Sequence, residues 1–120
     1  MPTNDDESIT AADASVTAVD KRDHRAACDT MLVFQPVDGI FTVTVEKDGT
    51  FGKAYAVSDT EGVLACSCPD FAYRQPAGGC KHIRRVAFRT GRREIPSGIP
   101  ADEIDPHLRL ACERKVPVPR

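Results

Sequence analysis

A chain of 120 residues suits one small domain, and a hydrophobic share of 41% with five Phe, two Tyr and no Trp allows only a thin core. No apolar run approaches the ~18 residues of a membrane span, and the acidic start MPTNDDESIT lacks a signal-peptide core, so a soluble cytoplasmic protein is expected. The net charge of -2 conceals an asymmetry: residues 1 to 20 carry Asp5, Asp6, Glu7, Asp13 and Asp20 with no cation, whereas residues 74 to 93 carry Arg74, Lys81, Arg84, Arg85, Arg89, Arg92 and Arg93 with no acid.

Residues 1–19, small and polar without an apolar stripe, read as an acidic disordered tail. Asp20 is a helix cap for one or two turns through Ala27. His24 and Cys28 stand there at i and i+4, a spacing that suits a metal, but no other ligand is near in sequence and an ordinary helix face is expected. The period then changes to two. Met31–Pro36 and Ile40–Glu46 read as strands around Val37-Asp38-Gly39, the second alternating Phe41, Val43 and Val45 against Thr42, Thr44 and Glu46. Lys47-Asp48-Gly49-Thr50 is an Asp-Gly hairpin turn. A third strand follows at about Lys53–Ser58, and after Asp59-Thr60-Glu61-Gly62 a fourth, Val63–Cys66.

That fourth strand delivers Cys66-Ser67-Cys68-Pro69; Gly79-Cys80-Lys81-His82 follows, with eleven residues between Cys68 and Cys80. Three cysteines and a histidine in two one-residue-skipping pairs make the ligand set of one tetrahedral zinc, Cys3His. Two thiolates about 2.3 Å from one zinc lie roughly 3.8 Å apart, whereas i and i+2 in a strand are about 6.6 Å apart. Cys66 and Cys68 must therefore sit where a strand ends and bends, with Pro69 leaving the ladder. Within a helix, i and i+2 are about 200° apart, so Cys80 must precede the helix and His82 open its first turn. The alternative, a disulfide framework, is disfavoured by an odd cysteine count of five and the absence of a secretory signal.

Pro69–Arg74 forms one helical turn with Phe71 inward and Tyr73 near the surface, and the main helix runs from about Lys81 to Arg89, stopping before Gly91. A helical wheel gathers Ile83, Val86 and Ala87 on one side. Lys81, Arg85, Arg89 and Arg92 lie opposite, with Phe88 among them. Residues 94–120, punctuated by Pro96, Pro100, Pro106, Pro117 and Pro119, read as a Pro-rich tail with short turns at Ala101–Ile104 and Pro106–Glu113. His107 is not needed by a complete four-ligand site, and Cys112 reads as an apolar contact or free thiol.

The order Cys-x-Cys, gap, Cys-x-His, with its flanks CSCPDF and CKHIRRVAF, resembles the SWIM zinc finger of chromatin-remodelling-type ATPases and Mutator-type transposases. The resemblance spans residues 62 to 90; small stand-alone SWIM proteins with a preceding hairpin occur in prokaryotes, including archaea.

The expected fold is α+β: a small zinc-stabilised domain over residues 20–93, its finger core 62–91, with flexible termini. Three to four strands form an antiparallel β-meander, followed by a zinc knuckle and one main α-helix. Four ligands, three of them thiolates, leave no open position and lower the metal's Lewis acidity, so one structural Zn2+ and no enzyme activity or small-molecule substrate are expected. Two functions of different class remain open. Arg74, Lys81, Arg84, Arg85, Arg89, Arg92 and Arg93 beside Phe88 suit DNA or RNA, giving charge for phosphates and a ring for a base; alternatively the module is a protein-protein interaction adaptor, which the SWIM resemblance also permits. A redox or zinc-sensing switch of the clustered thiolates is a third possibility.

Overall fold

The computed structural model describes residues 19–120; the acidic segment 1–18, and with it the expected tail, lies outside the described residues. Helix α1 (Lys21–Cys28) starts on Asp20, whose side chain accepts from the backbone N–H groups of Arg22 and Asp23. Four strands follow: β1 (Met31–Val37), β2 (Ile40–Lys47), β3 (Thr50–Thr60) and β4 (Val63–Cys66). They form an antiparallel meander in the order β1-β2-β3-β4, as the alternation implied. Helix α2 (Pro69–Arg74), helix α3 (Lys81–Thr90), a 3-10 turn (Ala101–Glu103) and helix α4 (Pro106–Glu113) complete the fold.

Strand pairing sorts side chains by face. Met31 lies opposite Val45, Val33 opposite Val43, Phe41 opposite Val57, and Val57 opposite Cys66. This is the buried face, and it packs on Ile83 and Val86 of α3. The register slips between Phe34 and Val37, where Pro36 has no N–H for the ladder. The Asp-Gly hairpin turn forms as expected, with Asp48 and Gly49 at φ 55° and 82°, the left-handed pair of a type I′ turn, while β3 begins at Thr50 rather than near Lys53.

The C-terminal segment differs most from expectation. Residues 94–120 pack rather than trail. Ile99 and Leu108 join Ala26, Ala27 and Phe88 in a second buried cluster, and Gln35 N–H donates to the Pro119 carbonyl (2.8 Å) beside β1. Helix α3 is thus a middle layer, with the sheet on one side and α1 and α4 on the other; every residue from His82 to Phe88 is buried. Among the described residues no helix is long and apolar enough to cross a membrane.

Candidate metal centre

The two ligand pairs sit at chain ends of regular elements, as the spacing requires. Cys66 is the last residue of β4. Cys68 is the N-cap of α2, its sulfur accepting from Phe71 N–H at 3.5 Å, and Pro69 fills the first helical position, where a missing N–H is harmless. Cys80 is the N-cap of α3, and His82 lies in its first turn. The meander therefore carries one pair to the entrance of the helix that carries the other.

All four side chains are buried, and their donor atoms lie within 4.8 Å of one another. His82 Nδ1 is 3.8 Å from Cys66 Sγ and 3.7 Å from Cys80 Sγ. A tetrahedral centre with bonds of about 2.3 Å to sulfur and 2.0 Å to nitrogen has S···N edges of about 3.5 Å, so a small contraction suffices. Nδ1 faces the sulfurs while Nε2 is buried with no hydrogen-bond partner, and the ring lies against Tyr55 (centroids 4.6 Å apart). The site can hold a metal ion.

The thiols themselves call for a cation. A hydrogen bond from Cys66, opposed by burial and reinforced by His82, pulls the Cys80 thiol down to about 4. That same bond to Cys80, together with burial, pushes Cys66 up, and burial raises Cys68. A divalent ion binds these groups as thiolates and releases their protons, so affinity falls as pH falls.

The loop between the pairs is held from inside. Arg84 donates from Nε to Gly79 O (2.8 Å) and from Nη2 to Ala77 O (2.7 Å), and its Nη1 reaches Asp20 (2.9 Å) and Asp23 (3.1 Å). Gly79 has φ +92°, and a Cβ there would lie 2.7 Å from Ile83 Cγ2 and 2.9 Å from Ile83 Cβ. Strain and clash therefore coincide one residue before a ligand. Gly79→Ala is expected to destabilise the domain by about 1–3 kcal/mol and to weaken metal retention, both read from melts with and without chelator.

The seven cations nominated for nucleic acid do not all lie on the surface. Arg84 is 5% exposed and Arg85 1% exposed. Arg85 donates to the carbonyls of Ala26, Asp29 and Met31, all at 3.0 Å, and pairs with buried Asp105. Lys81 pairs with Asp29 (2.9 Å) and Arg93 with Asp23 (2.8 Å). Arg92 meets Asp59 and stands 5.5 Å from the Phe41 ring centre. Arg89 donates to the carbonyls of Val116 (2.8 Å) and Pro117 (3.2 Å). Arg74, its side chain 76% exposed, has only a long contact to Asp70 at 3.6 Å. Phe88 is 2% exposed and packs under the C-terminal segment. The wheel placed Arg85 and Phe88 outward because it cannot register α1 and α4 covering that side.

Sequence reasoning also missed the acids that answer these cations, which stand far away in the chain. Asp23 is the clearest case. Burial would raise its carboxyl, but Arg93 and Arg84 outweigh that and hold it below its ordinary 3.8. Likewise Asp70 is held low, first by the Arg22 guanidinium, which grips it through two bonds of 2.9 and 3.0 Å. Helix α1 is thereby clipped to both ligand-bearing helices.

No protein-family model, no curated protein and no solved structure matches this chain.

Proposed function

We propose that Cys66, Cys68, Cys80 and His82 hold one structural zinc ion in a non-catalytic, SWIM-type module whose partner is a protein. Support for zinc comes from the donor set: three soft thiolates and one imidazole in a closed, buried group favour Zn2+ over hard cations. The order and spacing of the ligands, at a strand end and a helix start, support the SWIM likeness. Four protein donors leave no position for substrate water, which argues for a structural role.

One observation favours a protein partner over nucleic acid. Six of the seven cations of residues 74–93 bond firmly to acids or carbonyls of the same chain, and the zinc centre itself would carry +2 from the metal and -3 from three thiolates, hence -1. At those six positions a phosphate backbone would have to compete with bonds the chain already makes. A protein partner imposes no such demand. Fluorescence anisotropy with short duplex and single-stranded DNA and RNA at low salt is the test. The expected result is binding no tighter than the ~10⁻⁴ M edge of non-specific affinity. Tight binding whose logarithm falls with a slope of several against log salt would overturn the protein-partner assignment in favour of nucleic acid.

A further inference from the structure

His24 and Cys28 share one face of α1 a turn apart, and the fold brings them a third donor from the other end of the chain. The 3-10 turn Ala101–Glu103 folds back so that Glu103 Oε1 lies 3.4 Å from His24 Nε2. Cys28 Sγ lies 3.7 Å from the same nitrogen, and the three donor atoms are all within 4.8 Å of one another. Bonds of about 2.0–2.1 Å to nitrogen and oxygen and 2.3 Å to sulfur give tetrahedral edges of about 3.4 Å for N···O and 3.6 Å for N···S. The observed separations match those edges, while 3.4 Å exceeds the usual N–H···O range of about 2.7–3.2 Å.

We propose that His24, Cys28 and Glu103 form a second metal site, separate from the four-ligand centre, that takes a zinc-like divalent cation exchangeably. A thiolate, an imidazole and a single carboxylate suit Zn2+ and neighbouring transition metals and not the all-oxygen preference of Mg2+ or Ca2+. The His24 and Glu103 side chains are 49% and 53% exposed, so the fourth position opens to solvent. Three protein ligands with one open position distinguish such a site from a closed structural one. The ligands also bridge α1 and the C-terminal segment, which meet nearby through Asp105 N–H donating to the Ala27 carbonyl (2.9 Å). An ion here fastens the docked segment, so occupancy raises the melting temperature.

The test uses the full chain already holding one equivalent of zinc, titrated with Zn2+ and separately with Co2+. Native mass spectrometry, the thiolate-to-cobalt absorption and thermal melting are read together. Wild type is expected to take up one further ion, with rising thiolate absorption and a higher melting temperature. His24→Ala, Cys28→Ser and Glu103→Gln each alter a partly exposed side chain; each is expected to weaken that further ion by about 100-fold or more and to keep the first. The quantity read is the ion lost on substitution, so the result does not depend on what the four-ligand centre holds. Wild type that takes no further ion in metal excess, or a further ion held equally by all three variants, would overturn the proposal.

Discussion

Cys68→Ser is expected to abolish tight zinc retention and to unfold the stretch from β4 through α3. On the proposed reading two jobs meet at this residue, metal ligation and capping of α2 through Phe71 N–H. Serine is itself a good N-cap, so the substitution preserves the helix start and removes only the thiolate. Metal-coupled folding in isolated zinc fingers is worth on the order of 10 kcal/mol, comparable to the whole ~5–15 kcal/mol stability of a small domain. The site also sits within the main core, where Cys66, Cys68 and Cys80 pack with Phe41, Val43, Val57 and Ile83. Losing the ion therefore opens the seam between sheet and helix. Cys112→Ser is the control, since Cys112 is half-buried and its thiol only reaches the Phe88 carbonyl (3.6 Å). The control is expected to melt within about 1 kcal/mol of wild type. A Cys68→Ser protein with unchanged zinc content and an unchanged melting curve would refute a structural metal.

Arg85→Leu is expected to destabilise the protein by about 3–5 kcal/mol, because it leaves the Asp105 carboxylate buried without its cation. Three carbonyls lose their donor as well: Ala26 and Asp29 at the end of α1 and Met31 at the start of β1. Asp105 is the N-cap of α4 and accepts from Met31 N–H (3.0 Å), so this one pair fastens α1, β1, α3 and α4 together. In a domain of this size the loss corresponds to a melting temperature lower by roughly 15–30 °C. Adding Asp105→Asn to Arg85→Leu should recover part of it, since the lone buried charge disappears.

The pH dependence separates wild type from variant. In wild type, burial raises the Asp105 carboxyl but Arg85 and the Met31 N–H bring it below its ordinary 3.8. Its folded value is depressed, so the stabilisation is present above the ordinary carboxylate range and is lost as pH falls through the folded value. Without Arg85, burial dominates and the folded value rises above the unfolded one; the penalty is then full at neutral pH and fades as acid protonates the group. The stability gap between the two proteins should therefore narrow as pH falls toward 4, roughly the intrinsic carboxylate value. Denaturant midpoints measured from neutral pH downward would read this; a constant gap would contradict the ionised pair.

Much of this architecture was legible in local sequence. The meander was written in the alternation of Phe41, Val43 and Val45 and in Asp48-Gly49, and the first helix in the cap at Asp20. The metal group was legible because ligand geometry forbids Cys66 and Cys68 from lying within one strand, or Cys80 and His82 within one helix. What local pattern could not disclose was the far side of α3. A helical wheel assumes one buried face, yet α3 is covered on both sides, so arginines counted as surface became internal struts. Their acids lie far off in sequence; Arg84 and Asp23 are 61 residues apart. Glu103 is 79 residues from His24, which is why those donors looked solitary. The prolines at 96, 100 and 106 suggested a loose tail, yet Ile99, between the first two, and Leu108, just past the third, are buried. A short helix with one deeply inserted leucine carries little periodic signal.

X-ray absorption at the zinc edge, on His24→Ala protein loaded with a single equivalent, reads the inner coordination sphere directly. Three sulfurs at about 2.3 Å and one nitrogen at about 2.0 Å are expected, with the nitrogen absent in His82→Ala. A sphere of oxygen and nitrogen alone, or a folded chain from which no stoichiometric zinc can be detected, would contradict a Cys3His centre.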